Sequence, residues 1–140
     1  MNILLAVDGS AYTKKMLAYI AAHDEFLGPH HQYTAICVQT PLPARARAAL
    51  GKDVVDDYHA EHTEKVLAPV EKFLARKGIE LKRIAKVGTA GDVIAKTANA
   101  GNYDLLVMGS HGHGALATLV MGSVTTQVLA NSTVPVLIVR

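Results

Sequence analysis

Several residue types are scarce in this 140-residue chain, and each scarcity excludes a class of protein. There is no tryptophan, only 5% of the residues are aromatic, and the net charge is +2, so the chain lacks the basic stripe and stacking side chains of nucleic-acid binders. No apolar run approaches the roughly 20 residues of a membrane-spanning helix, and the start "MNILLAVDGS" has neither a basic leader nor a cleavage site. We therefore expect a cytoplasmic protein without a nucleic-acid or membrane partner.

Cysteine occurs once, at Cys37, so the chain cannot form an intramolecular disulfide. We expect this thiol to be buried in the core. The length suffices for one domain, residues 1–140, that buries enough surface to fold without a disulfide or a metal.

Apolar residues, by contrast, make up 50% of the chain, and they form five short runs that alternate with helical segments: NILLAV, QYTAICV, ELKRIAKV, DLLVMG and VPVLIV. This alternation predicts an α/β fold, an open doubly wound five-stranded parallel sheet in the order 3-2-1-4-5 with helices on both faces. The third run alternates polar and apolar residues, which favours a position near a sheet edge. The last run is apolar and no helix follows it, so we expect an exposed edge strand that pairs with a second copy in a homodimer.

Helix signals stand between the predicted strands. Ser10 and Thr13 are candidate caps of a first helix that Gly28 ends, and a long helix is predicted from about Lys52 to Lys77, which Pro69 should kink or divide.

The stretch "TPLPARARAALGK" ahead of the long helix has two prolines and no clean period, so we interpret it as a loop. Its Arg45, Arg47 and Lys52 could form a basic flap near an anion site, but a solvated connection is the favoured interpretation.

The glycines of "GSHGHGALATLVMGS", residues 109–123, follow the fourth apolar run. In open parallel sheets, ligands bind beyond the carboxyl ends of the strands where the strand order reverses, so this loop should face "DGS" after the first strand. From Ala115 to about Asn131 the pattern is helical, and Gly122 inside such a helix costs about 1 kcal/mol relative to alanine. That cost is explained if the helix restarts at Gly122 and offers its free amides to an anion.

Two common phosphate-binding motifs fail on these residues. The order of the glycines does not match G-x-G-x-x-G, and a P-loop is excluded because Ala115 and Leu116 stand where its lysine and hydroxyl belong. The pattern G-x2-G-x9-G-[ST] does match, in Gly109, Gly112, Gly122 and Ser123. Together with "AVDGS" at the first strand and "LLVMGSHG" at the fourth, this pattern strongly resembles the ATP-binding branch of the universal stress protein family. The resemblance extends over essentially the whole chain.

The resemblance implies that ATP, with or without Mg²⁺, is bound with its phosphates on the glycine loop and its adenosine end against Asp8. The residues it implies for nucleotide binding are Ala6, Asp8, Val38, Gly109, Gly112, Gly122, Ser123, Val124 and Thr125. A carboxylate at Asp8 can accept from ribose hydroxyls or hold a metal-bound water, although an aspartate there can also cap a helix. His111 and His113 occupy the loop in which some relatives carry a stronger cation.

The implied function is that of a nucleotide-dependent stress-response regulator or sensor acting as a homodimer. The alternatives are a slow ATP hydrolase or nucleotidyl-transfer enzyme of the same fold, and an interaction module with an empty pocket. Binding is favoured over cleavage because the chain has no P-loop lysine and no evident base, so we predict no catalytic residue. We predict no metal ligand either, since His59 and His62 lack the spacing of a zinc motif and fit a solvated helix face.

Overall fold

Strand β1 lies at the centre of a parallel sheet in the computed structural model, which describes residues 1–114 and 120–140. The strands are β1 (Asn2–Ala6), β2 (Gln32–Gln39), β3 (Leu81–Val87), β4 (Leu105–Gly109) and β5 (Val136–Val139). The helices are α1 (Ala11–Ala22), α2 (Asp24–Leu27), α3 (Ala44–Leu50), α4 (Lys52–Ala75), α5 (Ala90–Ala100) and α6 (Ser123–Asn131). The sheet has five strands in the order β3-β2-β1-β4-β5, which confirms the predicted order and α/β class.

Each face of the sheet is covered by its own apolar cluster, because successive side chains of a strand point to opposite faces. Ile3 and Leu5 pack with residues of α1 and α4 on one face, whereas Leu4 packs with residues of α5 and α6 on the other. Cys37 belongs to the first cluster and is buried, as predicted, and burial raises the pKa of its thiol to about 11. Helices therefore cover both faces, and along the described residues none of them is long and apolar enough to cross a bilayer.

The two edges of the sheet are β3 and β5, as the sequence predicts. Most side chains of β3 are exposed, Ala85 and Val87 among them, as expected for a strand at the edge of the sheet. In β5, only Val139 is fully buried and the other residues are half-buried.

Helix α1 differs from its prediction at both ends. Ser10 does occupy the N-cap position, but neither Ser10 nor Thr13 makes a side-chain capping bond there. The helix ends at Ala22, and Gly28 instead follows the separate short helix α2.

The interpretation of residues 40–52 as a loop is wrong, because Ala44–Leu50 form helix α3. Alanine and arginine are strong helix formers, and they outweigh the prolines that precede them. The long helix α4 is also continuous through Pro69, which does not divide it. Its second half is fixed by burial of Val66, Leu67, Val70 and Leu74 on the sheet, and this packing offsets the lost amide.

Tyr33 provides a test of the core, since its ring is buried in β2 and its hydroxyl donates to the carbonyl oxygen of Leu27 at 2.6 Å. We expect Tyr33→Phe to lower the free energy of unfolding by about 1–2 kcal/mol at neutral pH, because a buried carbonyl loses its donor. Burial raises the pKa of Tyr33 to about 12, so the hydroxyl's contribution is fully present below about pH 10 and is lost as the pH rises toward about 12.

Urea unfolding of both proteins over this pH range measures the difference, with Tyr58→Phe at a half-exposed ring as the control. A difference between wild type and Tyr33→Phe that stays constant from neutral to alkaline pH would contradict the assignment.

Candidate functional site

The loops that follow β1 and β4 meet because these two strands are neighbours and run parallel. Ala6 pairs with Met108 at the end of the shared register, so both chains leave the sheet side by side. This is the point where the strand order reverses, and it is where the sequence predicts the two loops to face each other.

Asp8 is fixed in the first loop by its own neighbours. Its Oδ1 accepts from the amide of Ser10 at 2.9 Å and from the hydroxyl of Thr13 at 3.1 Å, and the same hydroxyl accepts from the amide of Asp8 at 3.1 Å. Thr13, predicted as a helix cap, thus holds the carboxylate instead. The other oxygen, Oδ2, faces the second loop.

Gly112 lies directly against this carboxylate. A Cβ atom added at Gly112 would stand 2.6 Å from Oδ2 of Asp8, which is closer than real Cβ contacts come. The glycine is therefore required for space: any side chain there displaces the carboxylate or separates the loops.

His113, which is exposed, joins the same two loops at the rim of the site. Its Nε2 lies 2.7 Å from the carbonyl oxygen of Asp8, and because a carbonyl can only accept, Nε2 carries the proton. Next to it in the loop, His111 places Nδ1 2.8 Å from the hydroxyl of the buried Ser110, and its ring centroid lies 5.0 Å from that of Tyr12.

Gly122 is the N-cap of α6, with φ −72° and ψ 165°, which confirms the predicted restart of the helix at this glycine. The first part of that expected helix, residues 115–119, lies outside the described residues. The amide of Gly122 is not free, since it donates to the carbonyl oxygen of Ser110 at 2.8 Å. Glycine fits here because an added Cβ would lie 3.2 Å from the Cα of His111, in the backbone of the facing loop.

Thr125 ties α6 to the end of β4. Its side chain is buried and its Oγ1 donates to the carbonyl oxygen of Gly109 at 3.0 Å. The first turn of α6, beginning at Ser123, is thereby held at the carboxyl end of the sheet, and amides in the first turn of a helix have no intrahelical acceptor.

A cavity of about 330 Å³ lies between these segments. Its walls include every residue that the sequence predicts for nucleotide binding: Ala6, Asp8, Val38, Gly109, Gly112, Gly122, Ser123, Val124 and Thr125. The cavity also contains residues that this prediction missed, among them Thr13 beside Asp8, Met108 at the end of β4, and Ala90 and Ile94 from α5. Ile94 did carry a signal, because it belongs to the apolar stripe of its helix.

The charge lining the cavity is sparse. Along residues 1–114 and 120–140, its ionisable side chains are Asp8, His111 and His113. Arg45, Arg47 and Lys52 do not reach it, so the basic flap is wrong, and Lys52 instead pairs with Asp56 at 2.7 Å.

The described residues contain no cluster of three or more metal-ligating side chains. His59 in particular is engaged elsewhere, since its Nδ1 lies 2.8 Å from Oε1 of Gln39.

Comparison with known proteins identifies related sequences and structures. The model of the universal stress protein family matches residues 1–140. The chain is 32% identical over 139 residues to universal stress protein Slr1230 of Synechocystis, covering 99% of this chain and 42% of that protein. It is 30% identical over 140 residues to a universal stress protein of Thermus aquaticus, covering 99% of this chain and 98% of the relative. The chain thus spans less than half of the first relative and nearly all of the second.

Solved structures share the fold over almost the whole chain. MJ0577 superposes with a TM-score of 0.83 at 26% identity, covering 99% of this chain and 94% of that protein. A universal stress protein in complex with cAMP superposes with a TM-score of 0.69 at 21% identity, covering 100% and 97% of the two chains. An Arabidopsis thaliana family member with AMP bound has a TM-score of 0.66 at 18% identity, covering 99% and 90%.

The bond between Thr125 and Gly109 provides a test of how α6 is held. We expect Thr125→Val to lower the free energy of unfolding by about 1 kcal/mol, because the half-buried carbonyl of Gly109 loses its donor while the side-chain volume is kept. The matched control is Thr126→Val, since the Oγ1 of Thr126 is exposed and donates to the carbonyl oxygen of Gly122, the N-cap of the same helix, at 2.9 Å. Chemical denaturation measures both, and equal effects of the two variants would contradict a role for Thr125 in docking the helix.

Proposed function

The chain belongs to the universal stress protein family, and on that premise we propose that it binds an adenine nucleotide, ATP, in the cavity between the loops after β1 and β4. The observation that carries the proposal is the convergence of the predicted residues, from β1, β2, β4 and α6, on one cavity. Its volume of about 330 Å³ falls in the range of small-molecule sites, which begins at about 300 Å³.

The two ends of the cavity differ in polarity, as a nucleotide requires. Apolar side chains of Ala6, Val38, Met108 and Val124 belong to the core cluster on one face of the sheet and offer a surface for a flat base. The opposite end is formed by the glycine loop and the start of α6, where backbone amides and the helix dipole favour an anion.

A triphosphate brings more negative charge than these groups balance. Along the described residues, no lysine or arginine lines the cavity, so the counter-charge comes from the backbone amides and from a divalent cation. The residues fit Mg²⁺ in one respect: Oδ1 of Asp8 is occupied by Ser10 and Thr13, whereas Oδ2 faces the cavity side and can hold a metal-bound water or a ribose hydroxyl. Bound Mg²⁺ would neutralise phosphate charge.

The wider proposal is a cytoplasmic, single-domain regulator or sensor that responds to nucleotide occupancy and forms a homodimer through β5. Support for the dimer is the position of β5 at the sheet edge, with half-buried apolar residues Val136, Leu137 and Ile138. Nucleotide complexes of relatives with AMP and cAMP support the adenine class.

Slow hydrolysis is the second candidate, and one observation favours it. The ring of His111 lines the cavity, and an imidazole at the phosphate end can act as a general base toward water.

Release of the bound molecule distinguishes these functions. The purified protein is denatured and the supernatant is separated by anion-exchange chromatography. We expect ATP if the protein holds nucleotide without rapid turnover, whereas ADP or AMP favours hydrolysis or a preference for shorter phosphate chains. No released nucleotide, together with no shift of the melting temperature on adding ATP, would exclude nucleotide binding.

Gly112→Ala tests whether the loops must approach this closely. We expect it to weaken ATP binding by at least about tenfold in isothermal titration, because the new Cβ displaces the Asp8 carboxylate. Gly114→Ala is the matched control, since an added Cβ there meets no atom of the described residues within 4 Å. If the two variants bind ATP equally well while both remain folded by circular dichroism, the proposed placement of the nucleotide is wrong.

A further inference from the structure

The segment formed by α3 and the first turns of α4, residues 44–58, is exposed along most of its length, and we call it the α3–α4 elbow. No residue of the elbow is buried. Its large apolar side chains are about half exposed, at 48% for Leu50, 50% for Val54 and 50% for Tyr58. They follow one another at intervals of four residues, and Val54 and Tyr58 share one face of α4.

Helix α3 lacks the contacts that usually stabilise a helix of its length. It has seven residues and buries none of them, and α4 is the main element that it contacts. Isolated helices shorter than about 12 residues are marginal in water, and most helical stability in proteins comes from packing of an apolar face. The elbow therefore presents a surface that gains stability when a partner covers it.

The elbow stands on a rigid base. Gln39, buried at the end of β2, donates through Nε2 to the carbonyl oxygen of His59 at 2.8 Å and to Oγ1 of Thr63 at 2.9 Å. His59 returns a bond from Nδ1 to Oε1 of Gln39 at 2.8 Å. This network fixes α4 to the sheet just beyond the elbow, so the face of α4 that carries Val54 and Tyr58 is held in one orientation, and binding costs less when a surface is already ordered.

Charge is divided between the two helices of the elbow. Helix α3 carries Arg45 and Arg47 without an acidic residue, a charge of +2. The first turns of α4 carry Asp53, Asp56 and Asp57 against Lys52, a charge of −2. Within the described residues, neither arginine forms an ion pair with these carboxylates.

We propose that the α3–α4 elbow is an interface between two copies of this chain, with α3 of one copy against the first turns of α4 of the other. Across a twofold axis, α3 of each copy meets α4 of the other, so every contact occurs twice. Because α3 is positive and the first turns of α4 are negative, such a surface is complementary to a second copy of itself. Leu50, Val54 and Tyr58 supply the apolar centre, and the charged residues form the rim that sets the orientation. A foreign partner of one charge sign would complement only half of this surface.

This interface is separate from the proposed pairing through β5. Helix α4 packs against β2 and β3, at one side of the sheet, whereas β5 is the opposite edge. None of the elbow residues lines the cavity. The elbow can therefore join copies whether or not β5 does, and whether or not nucleotide is bound.

Charge reversal tests the proposal with three samples in low salt, where exposed charges act most strongly. One variant carries Arg45→Glu with Arg47→Glu, and the other carries Asp53→Lys with Asp57→Lys. Each variant alone sets like charges against each other, so we expect light scattering after gel filtration to give half the mass of wild type or less. In an equimolar mixture, each reversed helix faces a helix of opposite charge, so we expect at least twice the mass of either variant alone.

A control double variant, Asp92→Lys with Lys96→Glu, changes comparable exposed charges on α5, including an acid in the first turn of a helix, and should keep the wild-type mass. Equal masses for wild type, both elbow variants and the mixture would overturn the proposal, and so would variants that lose mass but fail to regain it on mixing. ATP titration of the same samples separates failure of this proposal from failure of the nucleotide proposal. The elbow variants should bind ATP as wild type does, whatever their mass.

Discussion

The parallel pairing of β1 with β4 is the constraint from which the site follows. Pairing of Ala6 with Met108 makes the two strands end at the same level, so the chain must turn twice within a few ångströms. One turn presents the Asp8 carboxylate and the other presents Gly112. A side chain at Gly112 would occupy the position of that carboxylate. Helix α6 then starts at this edge, held through Thr125. The meeting of the two loops is thus a consequence of one register, and α6 is held beside them through Thr125.

Close approach, more than unusual backbone conformation, explains the glycine motif. Among the described glycines, positive φ angles occur at Gly9, Gly51 and Gly78, none of which belongs to the motif. Gly112 and Gly122 instead touch the facing loop, one at a carboxylate and the other at backbone. The motif therefore encodes the fit of two chain segments to each other, and the shape of the cavity is a result of that fit.

The sequence was sufficient for the strand order and both sheet edges, because these depend on local pattern and on the rules of parallel sheets. The residues that the resemblance implies for nucleotide binding line one cavity, while their role remains a prediction. It was insufficient where stability comes from distant contacts. Helix α3 was missed because prolines precede it. The restart at Gly122 was predicted, but its close approach to residue 111 across the loop was not, because spacing does not reveal that contact. Ala90 and Ile94 line the cavity because of the way α5 packs across the sheet, and this packing cannot be read from the local sequence.

The hydrogen bond from His113 to Asp8 joins residues 105 positions apart in the chain. Contacts of such long sequence separation form only after the entropy of closing the intervening loop has been overcome, which places them late in folding. The cavity is consequently absent from any intermediate in which β4 has not yet docked beside β1. A molecule that binds there favours chains in which both loops are in place, and its binding energy adds to the free energy of unfolding.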